Sequence, residues 1–305
     1  MPSEMAFGGI EAGGTTFVAS LAVGDPTNVV DYKRFPTTSS PEETYQTALD
    51  WFAQTGKPIG ALGIATFGPV CLNRASASYG QIGATPKKGW RQYNILSFLS
   101  SKLPNVPIGI DTDVNAAALA ELQYGTGRGA NLHSLAYITV GTGVGVGLCV
   151  DGKSLIGMSH AEAGHIRVPR HESDPKDTFQ GVCPSHGDCV EGLASATAIA
   201  ARLSIHESAL PAVPDSDPVW DLVGYYLGQL CASICLMVSP ERIVLGGGVP
   251  QRACLLASVE KHFVASINGY VDVPSGYIRK SALSVGPGVV GSQEVAYRAY
   301  HSKQG

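Results

Sequence analysis

At 305 residues, with 44% hydrophobic and 15% charged positions, the chain is long enough for about two domains and has the profile of a compact folded protein rather than a disordered one. A formal net charge of −4, from 21 Lys+Arg against 25 Asp+Glu, and no basic run longer than the Lys87-Lys88 pair exclude the footprint expected for nucleic acid or an acidic membrane. A small-molecule partner is expected. Residues 1–7 carry neither a basic start nor an apolar signal core, and the apolar stretch 135–150 is interrupted by glycines, so neither a leader nor a membrane span is expected. Seven cysteines, an odd number and mostly within apolar segments, fit a reducing compartment such as the cytoplasm.

In chain order, residues 7–16 (FGGIEAGGTT) followed by the alternating run 17–23 predict a hairpin with a glycine-rich turn. A strand over 29–35, a helix over 41–52 that starts on Pro and acids, and a strand over 61–67 complete a β-β-β-α-β order. The theme recurs: 134–140 is apolar, 141–145 (GTGVG) is a glycine turn, and 146–150 runs back out. Helices are predicted over 189–203 and 219–238, a buried strand over 242–245 ahead of Gly246-Gly247-Gly248, and a closing apolar run after Pro287. Two strand–glycine turn–strand units predict a duplicated two-lobed α/β protein with a cleft. Neither a P-loop nor a Rossmann fingerprint is present, so any nucleotide phosphate would be held by paired hairpin turns.

Asp111-Thr112-Asp113-Val114-Asn115 stands where the apolar run 106–110 gives way to an alanine-rich helical stretch. A carboxylate at a strand end and helix start can accept a proton from a substrate hydroxyl while helix amides keep it ionised. One such acid alone would read as a helix cap; two in three residues leave one for chemistry. Farther on, His165, Cys183, His186 and Cys189 form a Cys2His2 set, and thiolates with imidazoles suit tetrahedral zinc. A Cys183–Cys189 disulfide is the rival, and His160 and His171, read as ordinary surface histidines, are possible substitutes for His165. Glu162 and Glu191 bracket this segment, where a closed metal site would fix their carboxylates for hydrogen bonds to sugar hydroxyls.

In this order the segments resemble the ROK family of sugar kinases and repressors, and within it the zinc-containing bacterial fructokinases. Residues 8–16 resemble the first phosphate motif, 66–69 (TFGP) a sugar-proximal turn, 111–115 the catalytic segment, 140–145 the second phosphate motif, 162–165 with 183–191 the zinc-and-sugar signature, and 246–249 the adenosine motif. The resemblance implies an actin-like, ribonuclease-H-like duplicated α/β fold with two lobes and a central cleft. The small lobe would span 1–118, joined by a C-terminal helix at about 289–303, and the large lobe 119–288.

It also implies an ATP:hexose 6-phosphotransferase using ATP, Mg2+ and structural Zn2+, with Asp113 as the base. Gly68, Pro69, Thr112, Asp113, Glu162, His165 and Glu191 would meet the sugar. Gly13, Gly14, Thr15, Thr16, Gly141, Thr142 and Gly143 would surround the phosphates, Gly246, Gly247 and Gly248 the adenosine, and His165, Cys183, His186 and Cys189 the zinc.

Three departures refine this. Glu11 stands where most of the family has Asp, as in fructokinase-like members; Thr16 stands where Lys is common; and Thr112 stands where glucokinase-like members carry Asn. The loop 84–90 (ATPKKGW) resembles the fructokinase version of the family's sugar-side loop and points to D-fructose, with mannose, glucose or an N-acylmannosamine as alternatives. A family repressor would need a helix-turn-helix before the first phosphate motif, which begins by Gly8; a sugar-binding regulatory protein without kinase activity is the rival of another class. A homodimer is expected.

Overall fold

The computed structural model describes residues 5–303, so residues 1–4 of the segment expected to lack a leader signal lie outside it. The chain divides into two compact units: Met1–Arg128 with Gly147–Ala161 and Leu283–Gly305, and Gly129–Val146 with Glu162–Ala282. The boundary expected after residue 118 falls inside a helix, Asp113–Gln123, that stays whole in the first unit.

In the first unit, β1 (Ala6–Ala12), β2 (Thr16–Val23) and β3 (Val29–Pro36) form an antiparallel meander, and β4 (Ile59–Thr66) and β5 (Ile108–Thr112) add in parallel on the other side of β1, giving the order β3-β2-β1-β4-β5. Helix α1 (Pro41–Gln54) is capped by Ser40, whose Oγ accepts from the Glu43 amide, and starts on Pro41. It buries Tyr45, Ala48, Trp51 and Phe52, a helical-period stripe, against a core that includes Ile10, Phe17, Leu21, Leu62 and Ile64. Helix α2 is Ile95–Lys102, α3 is Asp113–Gln123 and α8 is Pro287–Ser302.

Helix α8 lies close on the sheet because Gly9, Gly63 and Gly109 stand in register on β1, β4 and β5. A Cβ at Gly63 would come within 1.9 Å of the Ser292 carbonyl oxygen, and one at Gly109 within 2.7 Å of that of Val295. The absence of side chains there lets one helix backbone brace three strands at a fixed height.

The second sheet comprises β6 (Leu135–Val140), β7 (Val144–Val150), β8 (Lys153–Ser154), β9 (Ile243–Gly246) and β10 (Ile278–Lys280), in the order β10-β9-β6-β7-β8. Counted from its hairpin side this repeats the first sheet: a meander on one flank and two parallel strands on the other. This is the duplicated actin-like, ribonuclease-H-like α/β architecture. Around it stand α4 (Val190–Ala194), α5 (Ala196–Leu203), α6 (Val219–Val238) and α7 (Ala253–Ile267). By length and composition α6 would be able to cross a membrane, but it is a core helix whose Val223, Tyr226, Leu227, Leu230 and Ile234 are buried.

Several elements differ from expectation. The helix expected over 189–203 is broken at Ser195, which ends α4 and caps α5 by accepting from the Ala198 amide at 3.2 Å. Strand β7 begins at Val144, two residues earlier than expected, which shortens the second turn to 141–143. Helices α2 and α7 were not foreseen. The first has eight residues and buries only Ile95 and Leu99, and the second has no side-chain cap although Leu255, Val259, Phe263 and Ile267 recur every four residues.

Candidate active site

Register places the carboxyl ends of β1, β4 and β5 side by side: Ala12 pairs with Thr66, and Thr66 with Thr112. Residues 13–16, 67–69 and 113 therefore leave one edge of the first sheet together, where open α/β sheets take ligands. The 13–16 turn is closed by Gly13 N–H donating to the Thr16 carbonyl at 3.0 Å, and Gly14, Thr15 and Thr16 are exposed. Glu11 reaches α8: its Oε1 lies where a Cβ on Gly288 would be, beside the helix's first turn. Burial pushes the Glu11 carboxyl above the usual carboxylate range, against the pull of Arg34.

At the third strand end the cap is neither acid. Thr112 is the cap of α3, its Oγ1 accepting from the Asn115 amide at 3.1 Å. Asp111 is buried; its Oδ1 accepts from the Thr112 amide and the Asn115 side-chain amide, both at 2.8 Å, and its Oδ2 from the Ser154 hydroxyl. Burial raises its pKa, partly offset by the Ser154, Asn115 and Thr112 donors and by His160. Asn115 extends the network by accepting from the Leu148 amide at 3.3 Å. Asp113 is left as the first helical residue, half-buried, with Oδ1 accepting from the Val114 amide at 2.9 Å. Of the two acids, Asp113 is the one in a position to meet a substrate.

The Gly68–Pro69 peptide is cis, and the turn it makes is held by His160, whose Nε2 accepts from the Val70 amide at 3.2 Å. His160 is thus a buried structural group, not the surface histidine the sequence suggested, because its ring supplies the acceptor that a buried amide needs. His171 is half-buried, with its ring 4.8 Å from that of Tyr225.

In the second unit the 141–143 turn is tied from two sides. The break at Ser195 leaves the Ala196 amide to donate to the Gly141 carbonyl at 2.7 Å, and the Thr197 hydroxyl donates to the Thr142 carbonyl at 2.9 Å. Glu191 Oε2 accepts from the Val144 amide at 3.1 Å and occupies the space a Cβ on Gly143 would need, 2.5 Å away. Glu191 Oε1 lies 3.9 Å from His165 Nδ1, so the glycine turn, this acid and the Cys/His group are neighbours. Glu162 is exposed, one residue before the 3-10 turn Ala163–His165.

His165, Cys183, His186 and Cys189 bring one ligand atom each to within 4.8 Å of one another. His165 Nδ1 is 3.6 Å from both sulfurs, and His186 Nδ1 is 3.8 Å from Cys183 Sγ. A tetrahedral ion with ordinary Zn–S and Zn–N bonds has ligand–ligand edges of about 3.4–3.8 Å, so the set fits such a centre. Both cysteines are free thiols rather than a disulfide. Burial pushes the Cys189 thiol up to about 11, with Cys183 and Glu191 adding to the rise.

Beside the 141–143 turn lies a cavity of ≈ 520 Å³, lined by Gly141, Thr142, Gly248, Leu210, Trp220 and Arg252 among others. It unites the second glycine turn with the Gly246–Gly248 segment, and the Arg252 guanidinium lies 4.6 Å over the Trp220 ring. The lining also includes Glu207 and Asp215, and Arg252 is paired with Asp215 at 2.9 Å, so the apolar wall and glycine backbone suit a flat heterocycle rather than its phosphates. Leu210, Trp220 and Arg252 were missed by sequence reasoning; they carry no motif and meet only through the chain's path.

Comparison with known proteins identifies the family. Residues 7–298 match the ROK family. The chain is 36% identical over 298 residues to a fructokinase of Lactococcus lactis subsp. cremoris, covering 96% of this chain and 98% of that one. It is 38% identical over 270 residues to a fructokinase of Zymomonas mobilis subsp. mobilis, covering 87% of each. A ROK family glucokinase from Streptomyces griseus in complex with glucose and AMPPNP superposes with a TM-score of 0.75 at 23% identity, over 96% of this chain and 99% of that one. With nearly every element of its duplicated fold inside the matched span, the chain belongs to the ROK family.

Proposed function

We infer that the protein is an ATP-dependent fructokinase that transfers the γ-phosphoryl group of ATP to the 6-hydroxyl of D-fructose. The observation that carries this is Asp113 at the head of α3, one strand away from the 67–69 turn and two from the exposed glycine turn on the same sheet edge. Fructose as the sugar is supported by the fructokinases to which the chain is similar over most of its length.

In this reading Asp113, on the first turn of α3, accepts the proton of the attacking hydroxyl. The Gly13–Thr16 and Gly141–Gly143 backbones bind the phosphates, while the Gly246–Gly248 cavity takes the adenosine. Mg2+ carried by the nucleotide would neutralise phosphate charge. Gly68, Pro69 and Thr112 shape the sugar side, Thr112 from a buried position as the cap of α3. Glu162, His165 and Glu191 contribute hydrogen bonds to sugar hydroxyls. Zn2+ on His165, Cys183, His186 and Cys189 would be structural, since four protein ligands fill a tetrahedron. The protein's free, mostly buried cysteines support a reducing compartment, the cytoplasm, and the family resemblance is the support for a homodimer.

An ADP-release assay across fructose, mannose, glucose and N-acetylmannosamine tests the reading. Fructose should give the highest kcat/KM. A clear preference for glucose contradicts the sugar assignment, and no turnover with any of them contradicts the kinase.

A further inference from the structure

The 13–16 turn carries no charged side chain of its own, since Thr16 stands at its end. A cation nevertheless reaches it from a loop more than seventy residues away. Lys87 Nζ donates to the Gly14 carbonyl and lies 3.4 Å from that of Thr37, whose own hydroxyl and amide hold the turn through the Gly13 and Thr15 carbonyls at 2.7 and 2.9 Å. Both acceptors of the ammonium are uncharged main-chain oxygens, and among the described residues no carboxylate forms an ion pair with it. A half-buried ammonium held this way has no partner of opposite charge among the described residues and can meet an anion that arrives at the turn.

The loop that delivers Lys87 is fixed rather than loose. Trp90 is fully buried among Phe17, Tyr45 and Phe67, and its Nε1 donates to the Thr38 carbonyl at 2.8 Å. Gly89, at φ +82, passes so close to Ser39 that a Cβ would be 1.9 Å from its carbonyl oxygen. These contacts clamp the 85–90 segment onto residues 37–39, just beyond the end of β3, so the position of the ammonium is set in advance. Gly14 itself is open: a Cβ added there would meet no other atom within 4 Å.

We propose that Lys87 is a phosphate-binding residue of the kinase: its ammonium supplies, through space, the positive charge that the first phosphate turn lacks in its own sequence, and contacts the terminal phosphates of ATP. This rests on reading residues 13–16 as a phosphate turn. Lys87→Gln keeps a donor for the Gly14 carbonyl and removes the charge, so it separates electrostatics from the structural tie.

The test is steady-state kinetics with fructose and ATP on the wild type, Lys87→Gln, Thr16→Lys/Lys87→Gln and Gly14→Glu, with melting temperatures. Losing one charge-assisted phosphate contact should lower kcat/KM for ATP about 10- to 100-fold in Lys87→Gln, with KM for fructose within about twofold and the melting temperature unchanged. Thr16→Lys should restore most of the loss. The proposal is overturned if Lys87→Gln keeps wild-type kcat/KM for ATP, or if its loss falls equally on fructose KM and melting temperature and Thr16→Lys restores nothing. Gly14→Glu sets a carboxylate in the open space beside the turn. If it weakens ATP while Lys87→Gln does not, only the role of Lys87 fails; if neither affects ATP, the phosphate reading of the turn fails with it.

Discussion

Asp111 and Asp113 are two residues apart, and their surroundings give them different work. Three donors surround the buried Asp111 and tie it to the start of α3 and to Ser154, whereas Asp113 heads the helix half-buried. The spacing of the pair was legible in sequence, and so was the idea that one acid is structural. The cap itself was not, because Thr112 between them takes that place and either acid would also have been a good cap. A third acid, Asp174, was not singled out at all. It is 3% exposed and meets Arg202 through both oxygens at 2.5 and 2.8 Å, Arg170 at 3.1 Å and the Tyr226 hydroxyl. Burial raises its pKa, but the Arg202 and Tyr226 hydrogen bonds and the two guanidinium charges outweigh that and hold it below the ordinary carboxylate range. Its folded-state pKa being depressed, the stability it adds is present above the unfolded value of about 3.9 and is lost as the pH falls below that toward the folded value. Asp174→Asn should therefore destabilise the protein by about 3–5 kcal/mol at pH 7 by leaving buried guanidinium charge unpaired. Urea unfolding from pH 7 down to pH 3 should show the gap between wild type and variant closing only below about pH 4; a gap independent of pH would contradict the ion-pair account.

The elements of the second unit show why a motif-bearing segment need not be regular. An unbroken helix over 189–203 was the natural reading of a run rich in alanine, yet Ser195 interrupts it and so releases the Ala196 amide to the Gly141 carbonyl. The signal was a single serine, a residue equally at home on a helix surface, and only the tertiary partner decides between the two. The segment between His165 and Cys189 has little secondary structure beyond short turns, and a metal held by the four-residue Cys/His set would supply a cross-link that regular hydrogen bonding does not. Glu191, on the first turn of α4, depends on that segment for its place beside Gly143 and His165. Cys183→Ser should lose zinc and raise KM for fructose more than KM for ATP, as read by elemental analysis and kinetics on the same preparation. Wild-type protein without zinc and with a Cys183–Cys189 disulfide would contradict the metal assignment.

At the scale of the molecule, duplication was the most legible property: two strand–glycine turn–strand units in sequence become two five-stranded sheets with one strand order. What composition and periodicity left open were the contributions of residues far apart in the chain, such as the glycine row under α8 and the Leu210, Trp220 and Arg252 wall. These arise from packing, where no local pattern precedes the contact. The sheet edge shared by Gly13, Phe67 and Asp113 joins both levels, since a hairpin, a cis-proline turn and a helix start come to one edge only through strand register. On that edge we assign to Asp113 the proton of the sugar hydroxyl. Single-turnover phosphorylation of fructose by Asp113→Asn, measured beside fructose binding to the same variant, tests it most directly. Binding should persist while the chemical step slows by about 10²–10⁴-fold or more; a chemical step at the wild-type rate would remove Asp113 from the reaction.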